Sequence, residues 1–201
     1  MGHYLTCVAT PFDGDTSFII NKLFNRLHGV FVHHGFNLGL GFPQWSAANP
    51  GATITVFGSV SQLALVKENS GIVDLTAKGM LRLDPVQKVP EGASQVAFVR
   101  DRSQEPVSPS ALRRKAKRLK KHAESKGESW DEAAFWTAHS PAAPQRKAKK
   151  LPFVVVERSS GNFRLYFKQV SSLFGDEEPG TGFSEYGLSR GEAPPTWVHQ
   201  V

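Results

Sequence analysis

The densest chemistry in this sequence is a run of cations. Between Leu112 and His122 lie Arg113, Arg114, Lys115, Lys117, Arg118, Lys120 and Lys121, with no acid among them. Leu112, Ala116, Leu119 and Ala123 recur at i, i+4, i+7 and i+11, which makes one narrow apolar stripe on an otherwise cationic helix. Like charges at i, i+4 destabilise a helix mildly, so this one gains most when an anion neutralises it. A solvated surface face normally mixes acids with bases. A membrane-surface helix wants a broader face of Phe, Trp or Leu than this half-alanine stripe supplies. The helix therefore points to nucleic acid. A short RNA hairpin suits it better than a long duplex, because the A-form major groove admits side chains only near helix ends and loops.

Other residues have the types needed for chemistry. Histidine titrates near neutrality and can move a proton as base or acid. His28 sits at the edge of an apolar helix face beside Phe24 and Phe31, where spacing alone makes it a packing residue. His33 and His34 follow at a spacing that fits no standard zinc motif. Cys7 is the only cysteine, so neither an internal disulfide nor a cysteine-based zinc cluster can form. No carboxylate pair stands out for metal-assisted hydrolysis, and no metal or cofactor is expected. Arg100 and Arg102 alternate onto one face of an extended segment. By residue type alone they read as a surface pair balanced by Asp101 and Glu105.

The elements that must position these groups are legible from periodicity and turn chemistry. Residues 4–10 read as a strand ended by Pro11-Phe12-Asp13-Gly14. Asp15 or Thr16 caps a helix carrying Phe18, Ile19, Leu23, Phe24, Leu27, Val30 and Phe31, and Gly35 stops it. Residues 38–42 and 52–58 read as strands, 59–68 as a helix and 72–78 as a further strand. Residues 86–89 fit an edge strand bracketed by Pro85 and Pro90, and 95–99 another strand. Strand, helix, two strands, helix, strand is the ferredoxin-like order. After residue 100 come a linker at 105–110, the basic helix over about 110–125 and a helical piece after Ser129. Residues 140–150 are proline- and lysine-rich, mobile or ordered by RNA. Residues 151–157 and 163–170 form a hairpin joined by Arg158-Ser159-Ser160-Gly161-Asn162. A loop over 175–182 precedes a closing segment at 183–190. The expectation is an α+β chain, with an N-terminal ferredoxin-like domain over 1–95 and a C-terminal α+β RNA-binding domain with the arginine/lysine-rich helix over 96–201.

The formal net charge of +6 favours polyanionic partners. No cationic start precedes an apolar run, and no apolar stretch is long enough to span a bilayer. A soluble cytoplasmic protein with no membrane partner is expected.

The sequence resembles the CRISPR-associated endoribonuclease of type I-F (Csy) systems, which processes precursor CRISPR RNA. The resemblance runs through His3-Tyr4-Leu5, Leu23-Phe24-Asn25-Arg26-Leu27-His28, Gly41-Phe42-Pro43 and Leu112-Arg113-Arg114-Lys115. It continues through Leu151-Pro152-Phe153-Val154, Asn162-Phe163-Arg164-Leu165 and Tyr186-Gly187-Leu188-Ser189. These blocks keep the family's order along nearly the whole chain. Residues 46–95 match poorly, and 124–150 and 171–180 vary, as in a divergent or variant member.

The resemblance implies metal-independent cleavage at the 3′ base of a repeat hairpin. The RNA's own 2′-OH attacks the adjacent phosphate and leaves a 2′,3′-cyclic phosphate and a 5′-OH. It also implies that the enzyme stays on the mature RNA and joins other subunits of a type I-F surveillance complex. His28 matches the family's catalytic histidine. A hairpin-turn serine is expected to hold the attacking hydroxyl. Counting from Leu151 puts Arg158 opposite it, whereas counting back from Phe163 favours Ser159 or Ser160. Arg158 could instead stabilise the phosphorane. Phe163 matches a ring that stacks on the terminal base pair, against its reading as a core aromatic. Tyr186 matches a tyrosine that orients the histidine or the nucleotide. Gly182, Gly187 and Gly191 would let backbone approach phosphates. Arg100 and Arg102 fall where the family reads base edges, and Arg113, Arg114, Lys117, Arg118 and Lys121 where it grips phosphates. The alternative function is an inactive hairpin-binding subunit of the same ribonucleoprotein.

Overall fold

Alternation decides which way the first strand faces. Leu5, Cys7 and Ala9 recur every second residue along β1 (His3–Ala9) and all three are buried. They are covered by helix α1 (Thr16–His34), whose inner face carries Ile19, Ile20, Leu23, Phe24, Leu27, Val30 and Phe31. The computed structural model that gives these facts describes residues 2–10, 15–103, 109–139, 151–159, 161–171, 182–190 and 195–201. Asp15 settles the choice of cap, accepting the Phe18 amide at 3.2 Å. Gly35 ends the helix in the left-handed region at φ 63°, as its lack of a Cβ allows.

The chain is mixed α and β, with two antiparallel sheets and five helices among the described residues. The first sheet adds β2 (Gly39–Gly41), β3 (Thr53–Gly58), β4 (Leu81–Leu83) and β5 (Gln87–Lys88) to β1. Its order is β2-β3-β1-β4, with β5 also paired to β1. β3 runs beside β1 from His3↔Gly58 to Val8↔Thr53 and is buried along its whole length. Helices α2 (Val60–Glu68) and α3 (Ser70–Ala77) carry the chain from β3 to β4.

Residues 72–78, read from sequence as a strand, form most of α3 and its C-terminal cap, Lys78. Val73 and Thr76 have strand propensity, but Asn69 accepts the amides of Gly71 and Ile72 at 3.1 and 3.3 Å and starts a helix there. Ile72 and Leu75, three apart, then bury together. Capping and tertiary burial override a weak propensity. The strand that the pattern required comes later, as β4.

The second sheet contains β6 (Gln95–Arg100), β7 (Phe153–Val156), β8 (Phe163–Ser171) and β9 (Val198–His199), in the order β7-β8-β6-β9. The two-residue β9 gave no readable pattern. Phe42, just past β2, packs against Phe98 and Phe167 of the second sheet with ring centroids 5.0 and 4.6 Å apart. Both sheets lie in one compact unit, Met1–Ser103 with Lys150–Val201. A second unit, Gln104–Lys149, holds helices α4 (Pro109–Lys126) and α5 (Glu132–Ala138). The expectations for residues 140–150 and for most of the loop at 175–182 fall outside the described residues. No helix among the described residues is long and apolar enough to cross a membrane.

Cys7 is fully buried between sheet and helix. Burial, with a smaller contribution from Asp84, pushes its thiol up to about 12. Because the thiolate is the nucleophile, the folded chain should resist maleimide at pH 8 and react fully once unfolded. Mass spectrometry with and without denaturant checks this, and rapid labelling of the native chain would contradict it.

Candidate functional site

His28 lies near the C-terminal end of α1, half-buried at the edge of its apolar face. Its neighbours come from the segment at 182–190. Gly187 takes φ 69° there, and a Cβ on it would stand 2.5 Å from Leu40, so only glycine lets the turn lie this close. The turn is closed by Gly187 N–H donating to Ser184 O at 2.8 Å and Ser184 N–H donating to Leu188 O at 2.8 Å. It is tied to the first sheet by Leu40 N–H donating to Gly187 O at 2.8 Å, and to the connection between α1 and β2 by Phe183 N–H donating to Asn37 Oδ1 at 2.7 Å.

That anchored turn presents two groups to the histidine. The Glu185 carbonyl oxygen is 2.8 Å from His28 Nδ1. A carbonyl can only accept, so Nδ1 carries a hydrogen, and in the neutral ring the lone pair is on Nε2. The Tyr186 ring stacks on the imidazole with centroids 4.5 Å apart and planes 22° from parallel. Its other neighbour is Phe24, nearly parallel at 6.4 Å. Tyr186 is buried. Burial raises its hydroxyl above the ordinary tyrosine value against the opposing pull of the Arg158 guanidinium, so it stays a neutral donor through the neutral range.

Arg158 follows β7 and donates from Nη2 to the Tyr186 hydroxyl. The same nitrogen is 4.0 Å from the exposed Glu185 carboxylate. The Arg158 guanidinium also lies 4.8 Å from the centroid of Phe163, the first residue of β8, and Arg100 lies 5.7 Å from that centroid. Phe163 is half-buried. One contact chain thus runs His28–Tyr186–Arg158–Phe163–Arg100, joining five residues that are scattered in the sequence. It offers a lone-pair nitrogen, a neutral hydroxyl, two guanidiniums and a partly exposed ring. Together these can take a proton, face a negative phosphorus centre and stack on a base.

Ser159 is exposed in the turn directly after Arg158. Ser160 and Gly191 lie outside the described residues. Arg102 is exposed two residues past β6. Glu185 was missed, because its contribution to His28 is a backbone carbonyl that no side-chain pattern reveals. Among the described residues, no group of three or more His, Cys, Asp or Glu could hold a metal ion.

The second unit has its own logic. In α4 the expected stripe is covered: Ala116 and Ala123 are buried, and Leu112 and Leu119 are half-buried. Arg113, Arg114, Lys117, Arg118 and Lys121 are all exposed. At 100° per residue, Arg114, Lys117, Arg118 and Lys121 form a second stripe opposite the first. Phe135 of α5 is buried and stacks on His139 with centroids 4.3 Å apart, and His139 Nε2 is 3.2 Å from Lys115 Nζ. The apolar stripe of α4 is thus buried or half-buried and its cationic side left to solvent.

The model of a family described as CRISPR-associated protein (Cas_Csy4) matches residues 7–197. None of the curated proteins matches the chain.

Proposed function

We propose that this chain, which belongs to the CRISPR-associated protein family Cas_Csy4, cuts the repeat hairpin of precursor CRISPR RNA without a metal and then keeps its product. The observation that carries this is the contact chain from His28 to Phe163. Nε2 of His28 takes the proton of the 2′-OH beside the scissile phosphate. The freed oxygen attacks that phosphorus, the bond to the 5′ oxygen breaks, and the departing oxygen takes up a proton from water. The products are a 2′,3′-cyclic phosphate and a 5′-OH. Arg158 faces the phosphorane, where a cation is worth most. Phe163 stacks on the terminal base pair, and Arg100 and Arg102 reach base edges. Ser159 and Ser160 remain the candidates for holding the attacking hydroxyl.

The basic helix grips phosphates of the hairpin stem. Residues 1–95 form the half that carries the histidine, and 96–201 the RNA-binding half. That division falls where the chain passes from the first sheet to the second. The order β2-β3-β1-β4, with helical connections on either side of the β2–β3 pair, supports a ferredoxin-like reading of the first half. The retained hairpin would seat the protein among the other subunits of a type I-F surveillance complex in the cytoplasm.

Incubating a labelled repeat RNA with the protein in chelator tests the reading. A single cut leaving a cyclic phosphate is expected, and a 2′-deoxy residue at the cut site should block it completely. The arginine at 158, where one alignment of the loop places a serine, favours a second reading in which the protein binds the hairpin but does not cut it. Tight binding of the repeat with no product would establish that second reading. Absence of any preference for the repeat hairpin would overturn both.

A further inference from the structure

β7 is an edge strand, paired to β8 on one side only. Every second residue of such a strand turns its N–H and C=O outward, where they need partners. On β7 these are Phe153 and Val155, and Glu157, just past its end, continues the series. The partners of the last two are side chains of α1. Val155 N–H donates to Asn21 Oδ1 at 2.8 Å, and Asn25 Nδ2 donates to Val155 O at 2.7 Å. Glu157 N–H donates to Asn25 Oδ1 at 2.8 Å. Asn25 Nδ2 also donates to Asn21 O at 2.7 Å, which fixes the plane of its amide.

The two asparagines act as a surrogate strand, and their spacing explains why they can. Four residues of helix rise about 6.0 Å, and two residues of strand about 6.6 Å. Asn21 and Asn25 therefore stay level with Val155 and Glu157. Arg158 follows Glu157 directly, and its guanidinium reaches the Tyr186 hydroxyl beside His28. The Asn25 end of the ladder is the part that adjoins the turn beginning at Arg158. Lys22 adds only an exposed ion pair to the Glu157 carboxylate at 2.8 Å.

We infer that Asn25 is a positioning residue for the cleavage reaction: its amide clamps the backbone at Val155 and Glu157, holding Arg158 and the following turn at a fixed distance from His28. This rests on the cleavage reading above. Asn21 touches only Val155 on β7, two residues farther from the turn, and serves as the internal comparison.

The test is single-turnover cleavage of the repeat hairpin, together with the Kd for a 2′-deoxy hairpin that cannot be cut. Asn25→Ala should lower the rate constant about 10- to 100-fold while leaving Kd within about threefold, the range expected when reacting groups are misplaced by roughly an ångström. Asn21→Ala should leave the rate within about threefold, and melting temperatures of both variants show whether any difference follows stability. A rate for Asn25→Ala within threefold of the unaltered chain would overturn the inference. So would a parallel fall in rate, affinity and melting temperature in both variants.

If Asn25→Ala does not fold, amide exchange in the unaltered chain decides. The Val155 and Glu157 amides, which face away from β8, should be protected, and free exchange at Glu157 would overturn the clamp. An unaltered chain that binds but does not cut would overturn the cleavage reading, and with it this role for Asn25, even if exchange shows both amides protected.

Discussion

Replacing His28 by alanine should abolish detectable cleavage of the repeat hairpin and leave hairpin affinity within about threefold. General acid–base help of this kind is worth about 10² to 10⁴ in rate. The upper part of that range is expected, because the side chain is prepared for one task. Donation from Nδ1 to the Glu185 carbonyl at 2.8 Å fixes the tautomer. The Tyr186 ring at 4.5 Å fixes the plane. Both restraints act before substrate arrives, so little reorganisation is left for the reaction. Affinity should survive because the phosphate grip is assigned to α4 and the stacking to Phe163. Single-turnover rates and equilibrium binding to a 2′-deoxy hairpin separate the two quantities. A His28→Ala chain that cuts normally would remove the histidine from the mechanism.

The largest effect on affinity should come from α4. Neutralising Arg114, Lys117, Arg118 and Lys121 together removes the whole exposed cationic stripe. Each phosphate contact contributes about 0.7 to 0.9 to the slope of log K against log salt. Losing four should flatten that slope by roughly 3 and weaken binding about 10³-fold near 0.1 M salt, by the same relation. The helix itself should not suffer. Arg114 with Arg118, and Lys117 with Lys121, are like-charge i, i+4 pairs whose removal relieves repulsion, while the covered stripe of Leu112, Ala116, Leu119 and Ala123 is untouched. Far-UV circular dichroism should be unchanged or show slightly more helix. Affinity and salt slope that match those of the unaltered chain would show that the stripe does not contact RNA.

Some of this organisation is written in side-chain pattern. The ends of α1 were legible because a capping carboxylate and a left-handed glycine are chemically distinctive. The amphipathy of α4 was legible because charge and alanine separate cleanly around the helix. Residues 72–78 misled because Val73 and Thr76 favour extended backbone in isolation, while the deciding groups, Asn69 and the buried partners of Ile72 and Leu75, act through capping and long-range packing. The site divides the same way. His28, Tyr186, Arg158 and Phe163 could be named from residue type and resemblance, but their meeting could not. It depends on a glycine turn resting against Leu40 and on a carbonyl whose position is set by backbone. Asn25 stood inside a quoted motif, yet its partners are the main-chain groups of a strand 130 residues away, and no pattern of side chains announces that.

The buried thiol has a practical use. Because Cys7 is the sole sulfhydryl in the chain and is sealed beneath α1, a cysteine introduced at exposed Lys120 would be the single labelling handle on the native protein. A fluorophore could then report RNA docking on the basic helix in real time, with the native core left intact.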